Sequence, residues 1–421
     1  MRRPEKLPPQ EWMSAAATRR VLGALTAKGA EARFVGGSVR DAILGRPVKD
    51  VDIATAEPPE TVTQLLAAAG IAVIPTGIAH GSLTAVVDGA HFEITTLRRD
   101  VETDGRRARI AFTEDWAVDA SRRDLTINAL SAEPDGTIHD PCGGYQDLIA
   151  GRIRFVGDAR TRIEEDVLRL LRFFRFYAHY GKPPVDADAL EACRAMAPEL
   201  ARLSGERVAA ETLRLLAAPD PASVIALMAR EGIVAHFLPE AGDVAVLRAL
   251  VTVEGLGSGA DSIRRLAALI APARGRAGAD ALSRRLRFSS AERERLVALV
   301  APQEALESEM PEKEQRRKLY RLGGELFRDL ALLAWAREIA ATGPSSRRAS
   351  EAWRAELAAA AGWTKPELPL KGRDALALGI PAGPAVGRLL VALEAWWIAE
   401  DFRPGREECL AKLAAMAKGE R

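Results

Sequence analysis

The sequence predicts an α+β chain, with an N-terminal α/β unit of about one domain followed by a longer all-helical array. Three observations carry that expectation. A paired-glycine turn, Gly36-Gly37, is followed by the strand-like run Asp50-Val51-Asp52-Ile53. Alternating runs at 83–87 and 91–96 meet through Asp88-Gly89, a pair suited to a tight hairpin. From Thr161 the period is helical to the end, punctuated by proline and glycine at 181–184, 219–221, 255–259 and 343–344. At 421 residues the chain exceeds one usual domain, and the expected division is 1–150, 151–218 and 219–421.

Element by element, residues 10–29 read as a helix with Val21, Leu22 and Leu25 on one face. Residues 32–36 form a strand entering the glycine turn, and Ser38 is placed to cap a helix over 39–44 that ends at Gly45. A strand follows at 50–54, then a helix over 58–69 with proline near its start and Gly70 at its end. The hairpin comes next. Residues 100–115, with Asp104, Gly105, Arg106, Arg107 and Arg109, show no clear period and read as a mobile loop. Residues 119–129 read as helix again.

Composition excludes several classes. Hydrophobic residues make up 48% and charged residues 28%, which suits buried cores. The formal net charge is only +1, so any nucleic-acid contact must come from local patches. Cys142, Cys193 and Cys409 are far apart and lack CxxC spacing, which argues against a zinc site or a disulfide framework. The start, Met1-Arg2-Arg3-Pro4-Glu5-Lys6, leads into no apolar run, and no stretch is long and apolar enough to span a bilayer. The expectation is a reduced, cytoplasmic protein with no membrane attachment and no evident protein partner.

The chemistry concentrates in a few motifs. In Gly36-Gly37-Ser38-Val39-Arg40, glycine lets phosphate oxygens approach the backbone, the helix start offers free N–H groups, and Arg40 can add a charge-assisted contact. A Gly-Gly turn by itself is only a turn. Asp50 and Asp52 change its meaning, because alternate strand residues point the same way. Two such carboxylates repel each other and suit a strand poorly. An exposed edge strand would tolerate them, whereas a pair of Mg²⁺ ions would neutralise them, and beside the glycine turn the metal assignment is preferred. Such a site suits metal-assisted phosphoryl or nucleotidyl transfer. Glu93, in 92–96, is either a third carboxylate beside that pair or a strand residue that is solvated or paired with an arginine.

Two later runs extend the site. In Arg122-Arg123-Asp124-Leu125-Thr126-Ile127-Asn128-Ala129, Arg123 and Asn128 fall near one helical face suited to ribose and phosphate contacts. A surface helix with an Arg-Asp pair explains that run equally simply. Further on, Asp166, Arg169, Arg172 and Arg175 are spaced by three and make a slowly turning stripe beside an apolar one of Leu168, Leu171 and Phe174. Arginines so spaced repel one another unless an anion lies opposite, and a nucleoside triphosphate would supply it. Asp166 with Arg169 also matches one edge of adenine and cytosine. The carboxylate accepts from the amino group while the guanidinium donates to the ring nitrogen. Uracil and guanine present the opposite pattern and leave those groups unpaired.

Taken together and in this order, these motifs resemble the class II tRNA nucleotidyltransferases, a family of CCA-adding enzymes and poly(A) polymerases. Asp140-Pro141-Cys142-Gly143-Gly144, the neck-like Ser204-Gly205-Glu206-Arg207 and the tail-like run from Gly379 to Gly387 add to the resemblance. It implies a polymerase-β-like head with helical neck, body and tail. It also implies template-independent addition of CMP and AMP to the 3′ end of tRNA from CTP and ATP, with Mg²⁺. By position, Asp50 and Asp52 would hold the metals, with Glu93 as a further catalytic carboxylate. Gly36, Gly37, Ser38 and Arg40 would meet the triphosphate, and Arg123, Asp124 and Asn128 the sugar and phosphates. Asp166 and Arg169 would read the base, while Arg172 and Arg175 hold the nucleotide or primer end. The helical C-terminal half would hold tRNA, with the basic run 315–321 as a candidate contact or simply a solvated face.

The sequence departs from the family at Val167, where many members have proline, and at Phe174, where a small residue is common. It lacks a His-Asp phosphohydrolase motif in its C-terminal half. A poly(A) polymerase, an A-only or CC-only relative and a non-catalytic RNA-binding module are the rivals. Arg106 and Arg107 favour the full activity over a CC-only one, and the intact aspartate pair argues against a mere binder.

Overall fold

The computed structural model describes residues 6–104 and 107–419. It divides after Pro239 into two compact units. Residues 219–239 therefore pack with the N-terminal unit rather than with the C-terminal helices.

The first unit is built on a seven-stranded sheet. Its strands are β1 (Ala32–Val35), β2 (Val51–Thr55), β3 (Ala72–Gly77), β4 (Ser82–Val87), β5 (Ala90–Thr96), β8 (Ser131–Ala132) and β9 (Ile138–His139), in the order β3-β4-β5-β2-β1-β8-β9. Only β2 and β5 run parallel, with Asp52 paired in register to Glu93. The expected hairpin forms as β4–β5: Val87 pairs with Ala90, and Asp88 and Gly89 take φ of 50° and 81°, a two-residue turn whose twist matches that of the strands. The Ala16–Thr26 helix buries Val21, Leu22 and Leu25, and the Pro59–Ala68 helix beside it buries Val62, Leu65 and Leu66. At about 25 cal/mol of stabilisation per Å² of apolar surface removed from water, such stripes hold helices to a sheet.

Four local expectations are corrected. The strand expected at 50–54 begins at Val51, so Asp50 stands just before it. Ser38 is not a cap: Gly36 occupies that position before the Gly37–Ile43 helix, and the buried Ser38 hydroxyl donates to the Val35 carbonyl at 3.1 Å. Residues 100–115 are not an aperiodic loop. They belong largely to an antiparallel ribbon of β6 (Arg98–Asp104) and β7 (Arg107–Phe112) that stands apart from the main sheet. A ribbon outside the sheet need not bury one face, so it leaves little apolar alternation to read. Gly105 and Arg106 lie outside the described residues. Finally, 119–129 is not one helix. The Trp116–Ser121 helix, capped by Asp115, stops, and Leu125 turns extended to bridge Phe155 before a 3₁₀ turn at Thr126–Asn128.

The helical neck also breaks where a continuous helix was expected. Asp166, at φ −156° and ψ 106°, separates the Ala159–Glu165 helix from the Leu168–Tyr180 helix. The second helix is anchored by Phe173, stacked on Phe155 at 5.4 Å, and by Phe174, both fully buried. Phe174 thus fills the core.

The second unit is helical, from Ala245–Glu254 to Arg406–Gly419, with no named strand among its described residues. At its centre Arg264, 1% exposed, pairs with Glu254 at 2.6 Å and Asp329 at 2.7 Å. The basic run 315–321 is largely engaged within this unit. Arg316 pairs with Asp401 at 2.7 Å, Lys318 with Glu314 at 2.8 Å and Arg321 with Glu304 at 2.8 Å, and Arg317 donates to the Ala399 carbonyl at 2.9 Å. These cations are not a bare face waiting for phosphate. Among the described residues no helix is long and apolar enough to cross a membrane.

Candidate active site

The glycine turn, the start of β2, the 122–128 segment and the broken neck helix border one open cleft of about 630 Å³. That volume lies within the range of small-ligand sites. Of the residues singled out from sequence, Gly36, Gly37, Arg40, Asp52, Glu93, Arg123, Asp124, Asn128, Asp166, Arg169 and Arg172 line it. Ser38, Asp50 and Arg175 do not. Ser38 is buried beneath the turn, and Asp50 is exposed beside β2. Arg175 turns to Glu211, with which it forms an ion pair at 2.6 Å.

Local backbone needs explain the glycines. Gly36 takes φ 65° and ψ −121°, a conformation disfavoured for residues with a side chain. A Cβ there would lie 3.4 Å from Arg123 Nη1 and 4.0 Å from Asp52 Oδ2, ordinary contact distances that place both groups beside the turn, so it is the positive φ that calls for glycine. Gly144 serves the site from further away: a Cβ would meet the Thr126 carbonyl oxygen at 2.0 Å. Asp140 accepts from Gly144 N at 2.7 Å and from Tyr145 N at 3.1 Å, starting the Gly144–Ala150 helix. The 140–144 motif is thus a brace under the 3₁₀ turn that carries Asn128.

Asp52 is the electrostatic centre. Its pKa is raised to about 6, first by burial and then by Glu93, with Asp50 adding to the effect while Arg123 and Arg40 oppose it. The register of β2 against β5 makes Glu93 its neighbour. Ionised, this group of carboxylates carries an excess of negative charge that a divalent cation would neutralise. Among the described residues no three His, Cys, Asp or Glu side chains form a ready metal cage. The donor set fits an ion held by one or two carboxylates and completed by substrate phosphates.

The cationic side is held by a chain of hydrogen bonds. Arg40 donates from Nη1 to Asn128 Oδ1 at 2.8 Å, and Asn128 Nδ2 donates to Asp124 Oδ1 at 3.1 Å. Arg172 Nε donates to Asp124 Oδ2 at 2.6 Å. Burial works against ionisation of Asp124, but Arg172, Asn128 and the Leu125 amide together hold its carboxyl below the usual range. Arg123 is steadied by Asp119, 3.3 Å away, and by donation to the Asn128 carbonyl at 3.2 Å. Asp119 too is kept below the carboxylate range, since Arg122 and Arg123 outweigh its burial.

The arginine stripe proves to have anions of its own. Arg169 pairs with Glu165, Arg172 with Asp124 and Arg175 with Glu211. The protein therefore supplies the charge that the spacing alone assigned to a nucleotide. Arg169 also donates to the Arg122 carbonyl at 3.2 Å, and Asp166 accepts from Leu168 N at 3.1 Å and from Arg207 at 2.7 Å. Asp166 thus sits at the helix break with Arg169 one turn on, and both face the cleft. Sequence reasoning missed Phe176, which also lines the cleft beneath the Arg40 and Arg172 guanidinium groups. Its signal was faint: an aromatic one helical turn after Arg172.

Comparison with known proteins adds an independent line. The profile described as "Poly A polymerase head domain" matches residues 32–154, and "Probable RNA and SrmB- binding site of polymerase A" matches residues 184–243. The protein named CCA tRNA nucleotidyltransferase 1, mitochondrial, from Danio rerio is 34% identical over 394 residues, 91% of this chain and 87% of that one. A CCA-adding enzyme from Geobacillus thermodenitrificans is 38% identical over 221 residues, covering 52% of this chain and 53% of that one. The crystal structure of the Bacillus stearothermophilus CCA-adding enzyme in complex with CTP superimposes with a TM-score of 0.74 at 28% identity, over 96% of this chain and 98% of that one.

Proposed function

Because the chain belongs to the CCA tRNA nucleotidyltransferase family, we propose that it adds CMP and AMP to the 3′ end of tRNA from CTP and ATP, without a template. The observation that carries this reading is the meeting of two chemistries in one cleft: Asp52 and Glu93 on the sheet, and Asp166 with Arg169 at the neck break. The primer's 3′-hydroxyl oxygen attacks the α-phosphorus of the nucleotide, a new P–O bond forms, the hydroxyl proton passes to solvent, and pyrophosphate leaves with the electrons of the broken bond between the α-phosphorus and the bridging oxygen.

Gly36, Gly37 and Arg40 bind the triphosphate at the helix start. Arg123 and Asn128 orient sugar and phosphate, Asn128 partly through its hold on Arg40. Asp166 and Arg169 read the base edge, and their existing bonds to Leu168, Arg207, Glu165 and Arg122 hold them in place before the nucleotide arrives. Asp50 and Asp52 would hold Mg²⁺, which when bound lowers the pKa of the primer hydroxyl and neutralises charge on the leaving oxygens. Arg172 steadies this arrangement through Asp124, whereas Arg175 braces the neck through Glu211. The helices of residues 240–421 bind tRNA by shape and phosphate contacts. A cytoplasmic location belongs to the same proposal and accords with three free cysteines.

Asp166→Ala should reduce the preference for CTP over UTP by roughly 10- to 100-fold, because the amino group of cytosine loses its acceptor. Competition assays with both nucleotides measure it, and unchanged selectivity would remove Asp166 from base reading. The activity itself is tested with tRNA transcripts lacking CCA, CA or A, each nucleotide supplied alone and in pairs. Products that stop at CCA are expected. A long adenylate ladder would instead indicate a poly(A) polymerase, and no extension would exclude catalysis.

A further inference from the structure

We propose that Tyr180 is a positioning residue for the nucleotide phosphates: it latches the C-terminal end of the neck helix to Arg40 and Asp41 and so aims the Arg40 guanidinium into the cleft. The inference rests on the reading of Arg40 as a triphosphate contact.

Arg40 is held on several sides. It donates from Nε to Asp41 Oδ1 at 3.1 Å, from Nη2 to Asp41 Oδ2 at 3.0 Å and from Nη1 to Asn128 Oδ1 at 2.8 Å. Those bonds leave one hydrogen on each terminal nitrogen, a fork suited to two phosphate oxygens. The side chain is 9% exposed, and Nη2 lies 3.7 Å from where a Cβ on Gly37 would sit, so the fork is beside the glycine turn.

Tyr180 supplies what fixes this geometry. Its hydroxyl donates to Asp41 Oδ1 at 2.9 Å, the oxygen that also receives Arg40 Nε. Its ring lies 4.3 Å beneath the Arg40 guanidinium carbon. Asp41 is thereby held from two directions, and Arg40 is held in its plane by the Asp41 carboxylate and the Asn128 amide oxygen while the Tyr180 ring backs one face. Arg46 reinforces the latch, stacking on the same ring at 4.5 Å and donating to the His179 carbonyl at 3.0 Å. Toward its N-terminus the same helix is tied to the head by Arg169, which donates to the Arg122 carbonyl at 3.2 Å, and by Arg172 with Asp124 at 2.6 Å. One rigid helix is thus pinned at both ends, which sets the distance between the base-reading residues and the phosphate-binding arginine.

The test compares wild type, Tyr180→Phe and Tyr180→Leu as full chains. Tyr180→Phe keeps the ring and deletes the hydrogen bond. It should raise KM for CTP and ATP, and the inhibition constant of inorganic pyrophosphate, by about fivefold together, with KM for tRNA unmoved. Tyr180→Leu also deletes the cation–π contact and should raise the same constants by about threefold more. In an Arg40→Lys background, which loses the fork, Tyr180→Phe should add nothing. A purely structural role would move the tRNA constant as well, or persist in the Arg40→Lys background, and either result overturns the proposal, as do unchanged nucleotide and pyrophosphate constants in Tyr180→Phe. Calorimetric titration with inorganic triphosphate reads the contact without turnover. A wild type that binds it but extends no tRNA would refute the assigned activity, whereas Tyr180→Phe binding it as tightly as wild type would refute the latch.

Discussion

Asp52→Asn is expected to reduce incorporation of both CMP and AMP by about 10³-fold, since a contribution of several kcal/mol to transition-state charge stabilisation is lost. The same substitution should stabilise the metal-free protein at neutral pH. The sign follows from linkage. With its pKa raised to about 6, Asp52 is protonated in the folded state over a range where the unfolded carboxyl, near 3.8, is already ionised. The stabilisation associated with the proton is full below 3.8 and lost as pH rises through about 6. Asparagine removes that loss, because it stays neutral. Urea titrations of metal-free protein at pH 5 and 7.5 should therefore show wild type weakening relative to the variant as pH rises. Metal binding should show the complementary trend, weakening about tenfold per pH unit below 6 as protons compete for the carboxylate. Wild-type rates of nucleotide incorporation in Asp52→Asn would remove this residue from catalysis.

Asp124→Ala is expected to cost about 3 kcal/mol of stability, the lower end for breaking a buried charge pair, because Arg172 keeps 31% exposure and can draw on water. The Asp124 carboxyl lies below the usual range, so its contribution is present above about 3.8 and is lost as pH falls through its own lower value. The gap between variant and wild type should thus be full at pH 7 and narrow in acid, as read by urea titration. Kinetically, losing Asp124 frees both Arg172 and Asn128, and through Asn128 slackens Arg40. Nucleotide KM should rise for CTP and ATP alike. A variant as stable as wild type, with unchanged KM, would show that this chain of bonds organises nothing.

Both predictions depend on partners far apart in the chain, and this bears on what a reader of the sequence alone can see. Asp88-Gly89 declares its hairpin because the turn's backbone angles are a property of those residues themselves. Residues 100–115 failed to declare a ribbon because their sequence carries no clear apolar alternation to read. Asp166 looked like the start of a helical stripe, since spacing by three fits a helix. The extended conformation at Asp166 interrupts the helix while its oxygens receive Leu168 N and Arg207.

By itself, then, the sequence determined the local devices: the glycine turn, the alternating aspartates, the hairpin, the helical character beyond Thr161 and the set of residues to watch. Only the tertiary structure decided which of them meet. It set Glu93 beside Asp52 through a parallel strand register, joined Arg40 to Asp124 through Asn128, and gave the arginine stripe its own carboxylates. Turn and strand preferences arise from interactions between residues adjacent in the chain. Charge pairing at low exposure is settled by which side chains the fold brings within a few ångströms, and spacing along the chain does not carry that information.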